Sequence, residues 1–379
     1  MKWCISVLLI IILWSTVGST SNAAAQSAES FGEGILRELH LETVQRELEK
    51  LDLGLEFEQA VYGAVKGKTL LPLEEFARQV TEEIKKQWQQ QKTTFFMVLT
   101  LAVGAALLAH FSGVFKSQQV AEVGFQVSYM LLFLILLDGY RGVEAVTSQV
   151  LSNMESFMRA LVPAYFLSVT LASGSVTAGV FYPFLLGLIY VIRWIMEVLL
   201  LPLSEGYAVL VFVNHLTKEK YLSRLSDGIL KGCGWLLKTM LTVVTGFHLI
   251  QGLISPAVDA FRTTVVGKTA AAIPAFGNLA GSVADVIWGS GMLIKNGIGA
   301  AGLLILVAIC LVPLVRIGCW VLLLELLAVV IQPVSDKRLV GCVAGISDGG
   351  KLLFRMVFTT LALFMLSIAL VAICTGVRV

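Results

Sequence analysis

The stretch Thr217–Lys231, TKEKYLSRLSDGILK, constrains the fold of this chain most, because it is a short polar island between two long apolar runs. The runs cover residues 176–216 and 232–254. About 20 apolar residues are enough to cross a bilayer, and short loops rich in Lys and Arg stay on the cytoplasmic side. The island holds four basic and two acidic residues. It therefore predicts an integral membrane protein with this loop in the cytoplasm.

The composition agrees with a membrane protein. Hydrophobic residues make up 57% of the chain and charged residues 14%, against about 25% charged in soluble domains. The one sizeable polar region, residues 29–92, holds 13 acidic and 9 basic residues and is net acidic. No basic patch with interleaved aromatic residues occurs, so the sequence predicts no nucleic-acid partner.

The N-terminus predicts export of the segment that follows it. Residues 1–25 form a signal peptide, with Lys2, an apolar run over Ile5–Val17 and the small residues Ala23–Ala25 before the cleavage site. An uncleaved anchor helix is the alternative, and it also places the following segment outside the cytoplasm. Residues 26–92 then form an extracytoplasmic helical domain, whose amphipathic helices pack on each other or dock on a partner.

The remaining residues, 93–379, predict a polytopic membrane domain. Apolar runs recur through this region, with residues 123–137 and 157–171 as two separate candidate spans, and they give six to eight crossings, depending on how the longest runs divide. The expected fold class is therefore all-α: a polytopic helical membrane protein with a small N-terminal extracytoplasmic domain. The cysteines follow no C-x-x-C spacing and are expected to be buried free thiols rather than disulfides.

Charged residues inside the apolar runs are the main candidates for chemistry. Arg193 and Glu197 stand four residues apart, so a helix places them on one face, where they neutralise each other. This arrangement fits an intramembrane ion pair that packs helices, or one wall of a water-lined pathway. Arg316 and Glu325 lie nine residues apart, on opposite faces, and need separate partners.

Residues 267–302 are rich in Gly and Ala and include Gly277 and Gly281 at the small-x-x-x-small spacing of closely packed membrane helices. Glycine costs about 1 kcal/mol relative to Ala inside a helix. The segment therefore predicts close packing against protein, as a re-entrant or interfacial hairpin.

Two further patterns bear on function. A faint repeat relates Ser226-Asp227-Gly228 to Ser347-Asp348-Gly349, each after an apolar run that holds an Arg. Such repeats are typical of transporters. There is no H-E-x-x-H or Walker A motif, and the four histidines are scattered. The sequence predicts no enzyme, no cofactor and no metal site.

The most specific stretch of the sequence is the run GKTAAAIPAFGNLAGSVADVIWGSGMLIKNGIG over Gly267–Gly299, and the next most specific is LSDGILKGCGWLLKTM. In these stretches the chain resembles the stage III sporulation protein AE family of endospore-forming bacteria. The resemblance covers most of residues 30–379 and brings no catalytic residues. It implies a subunit of a mother-cell channel or secretion-like complex that supports the forespore. The implied partners are the other stage III sporulation A-operon proteins and, across the intermembrane space, stage II sporulation protein Q.

Two classes of function remain open at this point. In the first, the chain is a subunit of a hetero-oligomeric channel complex, surrounded by membrane lipid, in the mother-cell membrane around the forespore, with its N-terminal domain in the intermembrane space. In the second, it is a free-standing secondary transporter with internal repeats. Sparse buried charge favours the first. The repeat and the pair of Arg193 and Glu197 favour the second.

Overall fold

The computed structural model describes residues 41–51, 56–65, 73–114, 118–173, 175–216, 222–270 and 277–374. These residues contain helices and short turns and no strand. The predicted signal peptide lies outside the described residues. In chain order the elements are α1 Glu42–Lys50, α2 Phe57–Val65, α3 Leu73–Val114, α4 Gln118–Ser173, α5 Ser175–Trp194, a π-helical turn Ile195–Leu200, α6 Leu201–Leu216, α7 Ser223–Ala270, α8 Gly277–Ile331 and α9 Lys337–Cys374.

Six long rods build the body of the molecule: α3, α4, the joined α5–π–α6, α7, α8 and α9. The longest, α4, has 56 residues and at 1.5 Å per residue is roughly 84 Å long. The hydrocarbon core of a bilayer is only about 30 Å thick. Rods of this length therefore extend well beyond one bilayer.

The rods alternate in direction, and this fixes two ends of the bundle. At one end, a Cβ on Gly341 in α9 would lie 2.6 Å from His215 at the end of α6, and Ser335 Oγ lies 3.5 Å from the Ala102 carbonyl of α3. We call this the hairpin end, because α6 ends there, the Leu222 N–H before α7 donates to Asn214 Oδ1 at 3.2 Å, and the α8–α9 connection lies there. At the other, the head end, a Cβ on Gly297 in α8 would lie 2.6 Å from Val65 of α2.

The first long helices are less divided than the sequence indicates. The separate candidate spans 123–137 and 157–171 lie on the single helix α4. Two of the polar residues between them have partners, on α4 itself or on α5, and do not interrupt this helix. Thr147 donates to the Val143 carbonyl at 2.9 Å, and Glu155 bonds two arginines. Likewise α3 runs without a break through residue 92, the predicted end of the extracytoplasmic domain.

Four of the described helices are long and apolar enough to cross a membrane: Glu122–Thr170, Tyr182–Leu216, Gly289–Ile331 and Lys337–Ala372. They fit the expected all-helical membrane protein. The count of six to eight crossings stays a prediction. Within the head region, α1 buries Val44 and Leu48, and α2 buries Phe57 and Val61, so the amphipathic faces of these two helices are covered.

A layer of aromatic side chains crosses the bundle between its two ends, and we call it the aromatic layer. Tyr140 of α4 and Trp320 of α8 meet edge to face at 6.2 Å, and Tyr140 donates to the Ser204 carbonyl of α6 at 3.0 Å. Gly350 of α9 lets Trp320 approach, because a Cβ there would lie 2.7 Å from the ring. The layer gives a common height from which positions on different rods are compared.

Candidate functional site

The candidate site begins with an irregular turn in the α5–π–α6 rod. Residues Ile195–Leu200 wind as a π-helix, and Pro202 follows two residues later. Proline has no N–H to donate and its ring clashes with the carbonyl four residues before it, so a wider turn just upstream relieves the crowding. Single π-helical turns inside α-helices occur frequently at functional sites. Here the turn carries Glu197.

Four charged side chains meet beside this turn and form a connected chain, which we call the π-turn network. Arg193 Nε lies 2.9 Å from Glu197 Oε2, and Arg193 Nη1 lies 2.9 Å from Glu155 Oε2 on α4. The other oxygen of Glu155 lies 2.9 Å from Arg159 Nε, one turn further along α4. The network joins two rods and carries no net charge when all four groups are ionised.

Burial differs sharply within the π-turn network. The Glu155 side chain is 4% exposed, while that of Arg193 is 41% exposed. A buried carboxylate is tolerated only when it is paired and hydrogen-bonded, and Glu155 has a cation on each of its two oxygens. Glu155 is therefore the member on which the network depends, and Arg193 is the bridge between α4 and Glu197.

The cleft beside the network is small and its other walls are largely apolar. Leu151, Ile192 and Met196 line this cleft, together with Thr360 and Phe364 of α9. Thr360 donates its hydroxyl to its own helix, to the Met356 carbonyl at 3.0 Å, and is therefore not held as a nucleophile. Among the described residues no three His, Cys, Asp or Glu side chains come together as a metal site. The chemistry that the cleft supports is charge neutralisation between helices.

A second charged group lies on α8 and α9 and we call it the α8–α9 network. Lys351 pairs with Glu325 and, at 2.8 Å, with Asp348. Ser347 donates to Glu325 Oε1 at 3.0 Å. Glu325 thus has the separate partner that its spacing from Arg316 requires. Arg316 is exposed and forms no ion pair with any residue in the described part of the chain.

Close contacts are described for only part of residues 267–302, the segment predicted to pack closely against protein. Residues 267–270 end α7 and Gly277 begins α8, while the surroundings of Gly277 and Gly281 lie outside what the structure describes. Further along α8, a Cβ on Gly302 would lie 2.6 Å from Leu161 of α4, and one on Gly299 would lie 3.4 Å from Tyr165. The C-terminal part of the segment therefore packs closely on α4.

Sequence reasoning missed two members of the π-turn network, Glu155 and Arg159. Their spacing of four residues on one helix is the same signal that identifies Arg193 and Glu197. The signal is easily overlooked because residues 138–156, which include Glu155, are mixed in polarity and lie between the candidate spans 123–137 and 157–171. The contact between Glu155 and Arg193, 38 residues apart, depends on α4 and α5 folding back on each other, which no local pattern encodes.

These features define a class: an all-helical protein with several helices that fit a membrane and with charges neutralised in pairs inside an apolar body. A family model described as stage III sporulation protein AE matches residues 55–375. The chain belongs to the stage III sporulation protein AE family. Stage III sporulation protein AE of Bacillus subtilis (strain 168) is 22% identical over 275 residues, which are 72% of this chain and 69% of that protein. No solved structure matches.

Proposed function

We propose that this protein is a membrane-embedded subunit of the complex that connects the mother cell to the forespore as a channel or secretion-like apparatus. Forespore development and late forespore gene expression depend on that complex. The family membership supports a role in sporulation, and four apolar helices support a place in the membrane around the forespore. The partners are the other stage III sporulation A-operon proteins and, through them, stage II sporulation protein Q.

The π-turn network is the observation that favours a structural subunit over a carrier. A proton or ion relay needs ionisable groups that succeed one another along a path and release what they bind. Glu155 is instead held by two arginines at 2.9 Å each, and the resulting chain of charges runs between α4 and α5. Such an arrangement fixes the relative position of two rods, as a scaffold requires.

Co-purification tests this proposal. The tagged protein, solubilised from sporulating cells in mild detergent, is expected to carry the other A-operon proteins with it. Glu155→Gln is expected to reduce the co-purified subunits in proportion to the loss of correctly folded protein. A protein that purifies alone, at full recovery and folded, would contradict the proposal.

The fold also supports an orientation for the subunit. The α1 and α2 helices lie at the head end, while the end of α6, the start of α7 and the α8–α9 connection lie together at the hairpin end. Opposite ends of the bundle agree with an N-terminal region outside the cytoplasm and a cytoplasmic Thr217–Lys231 segment, although residues 223–231, expected as part of a loop, form the first turns of α7. Because α9 runs back from the hairpin end, the C-terminus then belongs on the same side as the N-terminal region.

Reporter fusions test the orientation. A reporter after Gln91 is expected outside the cytoplasm, and reporters after Arg224 and after Asp336 are expected inside. The position after Asp336 is informative because its side follows from the fold and not from the charge of the Thr217–Lys231 loop. Reporters after Arg224 and Asp336 on different sides would contradict the shared hairpin end.

A free-standing secondary transporter is the second candidate function, and one observation favours it. The two copies of the faint repeat fall on the α6–α7 and α8–α9 hairpins, and both hairpins turn at the same end. Parallel repeats of this kind occur in transporters. Uptake by proteoliposomes that contain this protein alone would support this candidate and count against the channel subunit.

A further inference from the structure

Two acidic side chains meet beside the aromatic layer without a cation between them. Tyr140 of α4 donates to the Ser204 carbonyl of α6 at 3.0 Å, and this bond brings the two helices into contact. Glu144 stands one helical turn after Tyr140, and Glu205 directly follows Ser204. The carboxyl groups of Glu144 and Glu205 lie within hydrogen-bonding reach of each other. We call these two groups the carboxyl pair.

The carboxyl pair lies where water is scarce. Glu144 is 9% exposed and belongs to the candidate span Glu122–Thr170. Glu205 is exposed, but it belongs to the candidate span Tyr182–Leu216. A charged side chain in the bilayer centre costs roughly 2.5–3.5 kcal/mol, and a buried carboxylate is tolerated only when it has a partner. Each member of the pair therefore needs a cation, a hydrogen-bond donor or a proton.

The described neighbours of the carboxyl pair supply neither a cation nor a donor. Arg141, on α4, is the cation that acts on Glu144, but it is exposed and forms no ion pair with either acid. The other titratable groups around the pair are neutral or acidic: Tyr140 on α4, Tyr207 on α6, Cys233 and Asp227 on α7, and Asp348 on α9. Among the residues that the structure describes, no N–H or O–H group of another side chain or of the backbone donates to Glu144 or Glu205.

A shared proton resolves this arrangement. Two carboxylates in contact repel each other, and the repulsion is strong where the local dielectric constant is low. Carboxyl groups that share a site therefore hold one proton between them. The protonated group then donates to the ionised one, and a hydrogen bond to a charged acceptor of this kind is strong. The proton supplies the donor that the surrounding protein lacks.

We infer that Glu144 and Glu205 form a proton-binding site, which holds one shared proton between α4 and α6 at neutral pH. The site differs from the π-turn network, where Glu155 is deeply buried but has an arginine on each oxygen. Loss of the proton would leave two negative charges facing each other between the rods, so the contact of α4 with α6 depends on the occupancy of the site. The inference does not rest on the proposed function, because a channel subunit and a transporter are both compatible with such a site.

Modification of the full chain in membranes by dicyclohexylcarbodiimide tests this inference. The reagent enters lipid and reacts with a protonated carboxyl group. The acid proton moves to a carbodiimide nitrogen, the carboxylate oxygen bonds to the central carbon, and the adduct rearranges to a stable N-acylurea. Peptide mass spectrometry locates the adduct. We expect it on Glu144 or Glu205 at neutral pH, with a yield that falls as the pH is raised.

Two acids of the same chain serve as matched controls. Glu155 is buried like Glu144, and Glu325, with a side chain 45% exposed, lies in a candidate span like Glu205. Both controls are paired with cations and stay ionised. We expect each of them to be modified on the order of tenfold less than the carboxyl pair, the factor that corresponds to one pKa unit.

Infrared spectroscopy gives a second readout, which needs no reagent to reach the site. The carbonyl stretching band of a protonated carboxylic acid is expected in the parent chain at neutral pH. Glu144→Gln and Glu205→Gln are each expected to lose most of this band, because the glutamine amide donates to the remaining carboxylate and the repulsion that retains the proton is gone. Glu325→Gln is expected to leave the band unchanged. Two variants are used so that the folding failure of one does not decide the result.

The other outcomes overturn the inference. A parent chain without the acid band at neutral pH would show that both groups are ionised. A band that persists in full in Glu144→Gln or in Glu205→Gln would show one protonated acid instead of a shared proton. Suppression of the modification by sodium at constant pH would show that the pair binds a metal cation. Equal modification of Glu155 would show that burial alone, and not the missing cation, protonates acids in this bundle.

Discussion

The π-turn network and the α8–α9 network contain the same kinds of group and differ in burial. Glu155 is 4% exposed and holds two arginines. In the α8–α9 network the side chains of Lys351 and Asp348 are 38% and 48% exposed. Water reaches every charged member of the second set, whereas in the first set it reaches the arginines but hardly Glu155. Ion pairs of the same kind in one bundle therefore contribute differently to its stability, and the burial of the acid decides how large the contribution is.

Removal of the buried acid is expected to have the largest effect. Glu155→Gln leaves Arg159 without its partner and Arg193 with only Glu197. Loss of one member of a buried ion pair costs about 3 kcal/mol of unfolding free energy, near the lower bound because both arginines are partly exposed. Thermal unfolding in detergent micelles measures this loss. Glu325→Gln is the matched control and is expected to cost under about 1 kcal/mol. Equal losses of unfolding free energy in the two variants would contradict the difference in stability that we expect between the two networks.

Charge reversal of both Arg193 and Glu197 separates an isolated pair from a network. The spacing of the two residues alone predicts that the double variant regains the stability lost in each single variant. The structure predicts otherwise, because Arg193→Glu would place a second carboxylate against Glu155. We expect the double variant to remain about 2 kcal/mol less stable than the parent chain, measured by the same unfolding assay. Full recovery of stability in the double variant would show that Glu155 is not a partner of Arg193.

Lys351→Met probes the exposed network at its cation. The change leaves Glu325 and Asp348 facing each other, and partial exposure lets water separate them. We expect a loss of under about 1 kcal/mol that shrinks as salt is raised, since exposed charges are screened. Unfolding midpoints at low and high salt measure this dependence. A loss that does not change with salt would place this network in a buried setting like that of Glu155.

Ser347→Ala is expected to have the smallest effect. Ser347 is buried, and its hydroxyl donates to Glu325 at 3.0 Å, but Glu325 keeps Lys351 after the change. A single hydrogen bond of this kind contributes about 0.5 kcal/mol. The unfolding midpoint is the measurement, and Ser335→Ala at the hairpin end serves as the control. A loss as large as that of Lys351→Met would make Ser347 a principal member of the network.

The sequence predicts the helical class and the Arg193–Glu197 spacing because both follow from local periodicity. It does not predict Glu155 as the partner of Arg193, since that contact needs two rods to meet. It also divides α4 at residues 138–156, where mixed polarity looks like a loop. The hydrogen bond of Thr147 within α4 and the ion pairs of Glu155 with Arg159 and Arg193 compensate that polarity, and the helix continues. The roles of Gly277 and Gly281 stay predictions.

The unbroken helix α3 has a mechanical consequence. It runs from Leu73 to Val114 and passes from a polar half, with exposed Lys85 and Lys86, to an apolar half, with exposed Phe96 and Leu107. A continuous helix is a stiff rod, and rigid elements carry displacement between distant sites. Because α3 has no break that could act as a hinge, a displacement or rotation of its Leu73 end is expected to move its Val114 end as well. The helix would in this way couple the head end to the hairpin end mechanically.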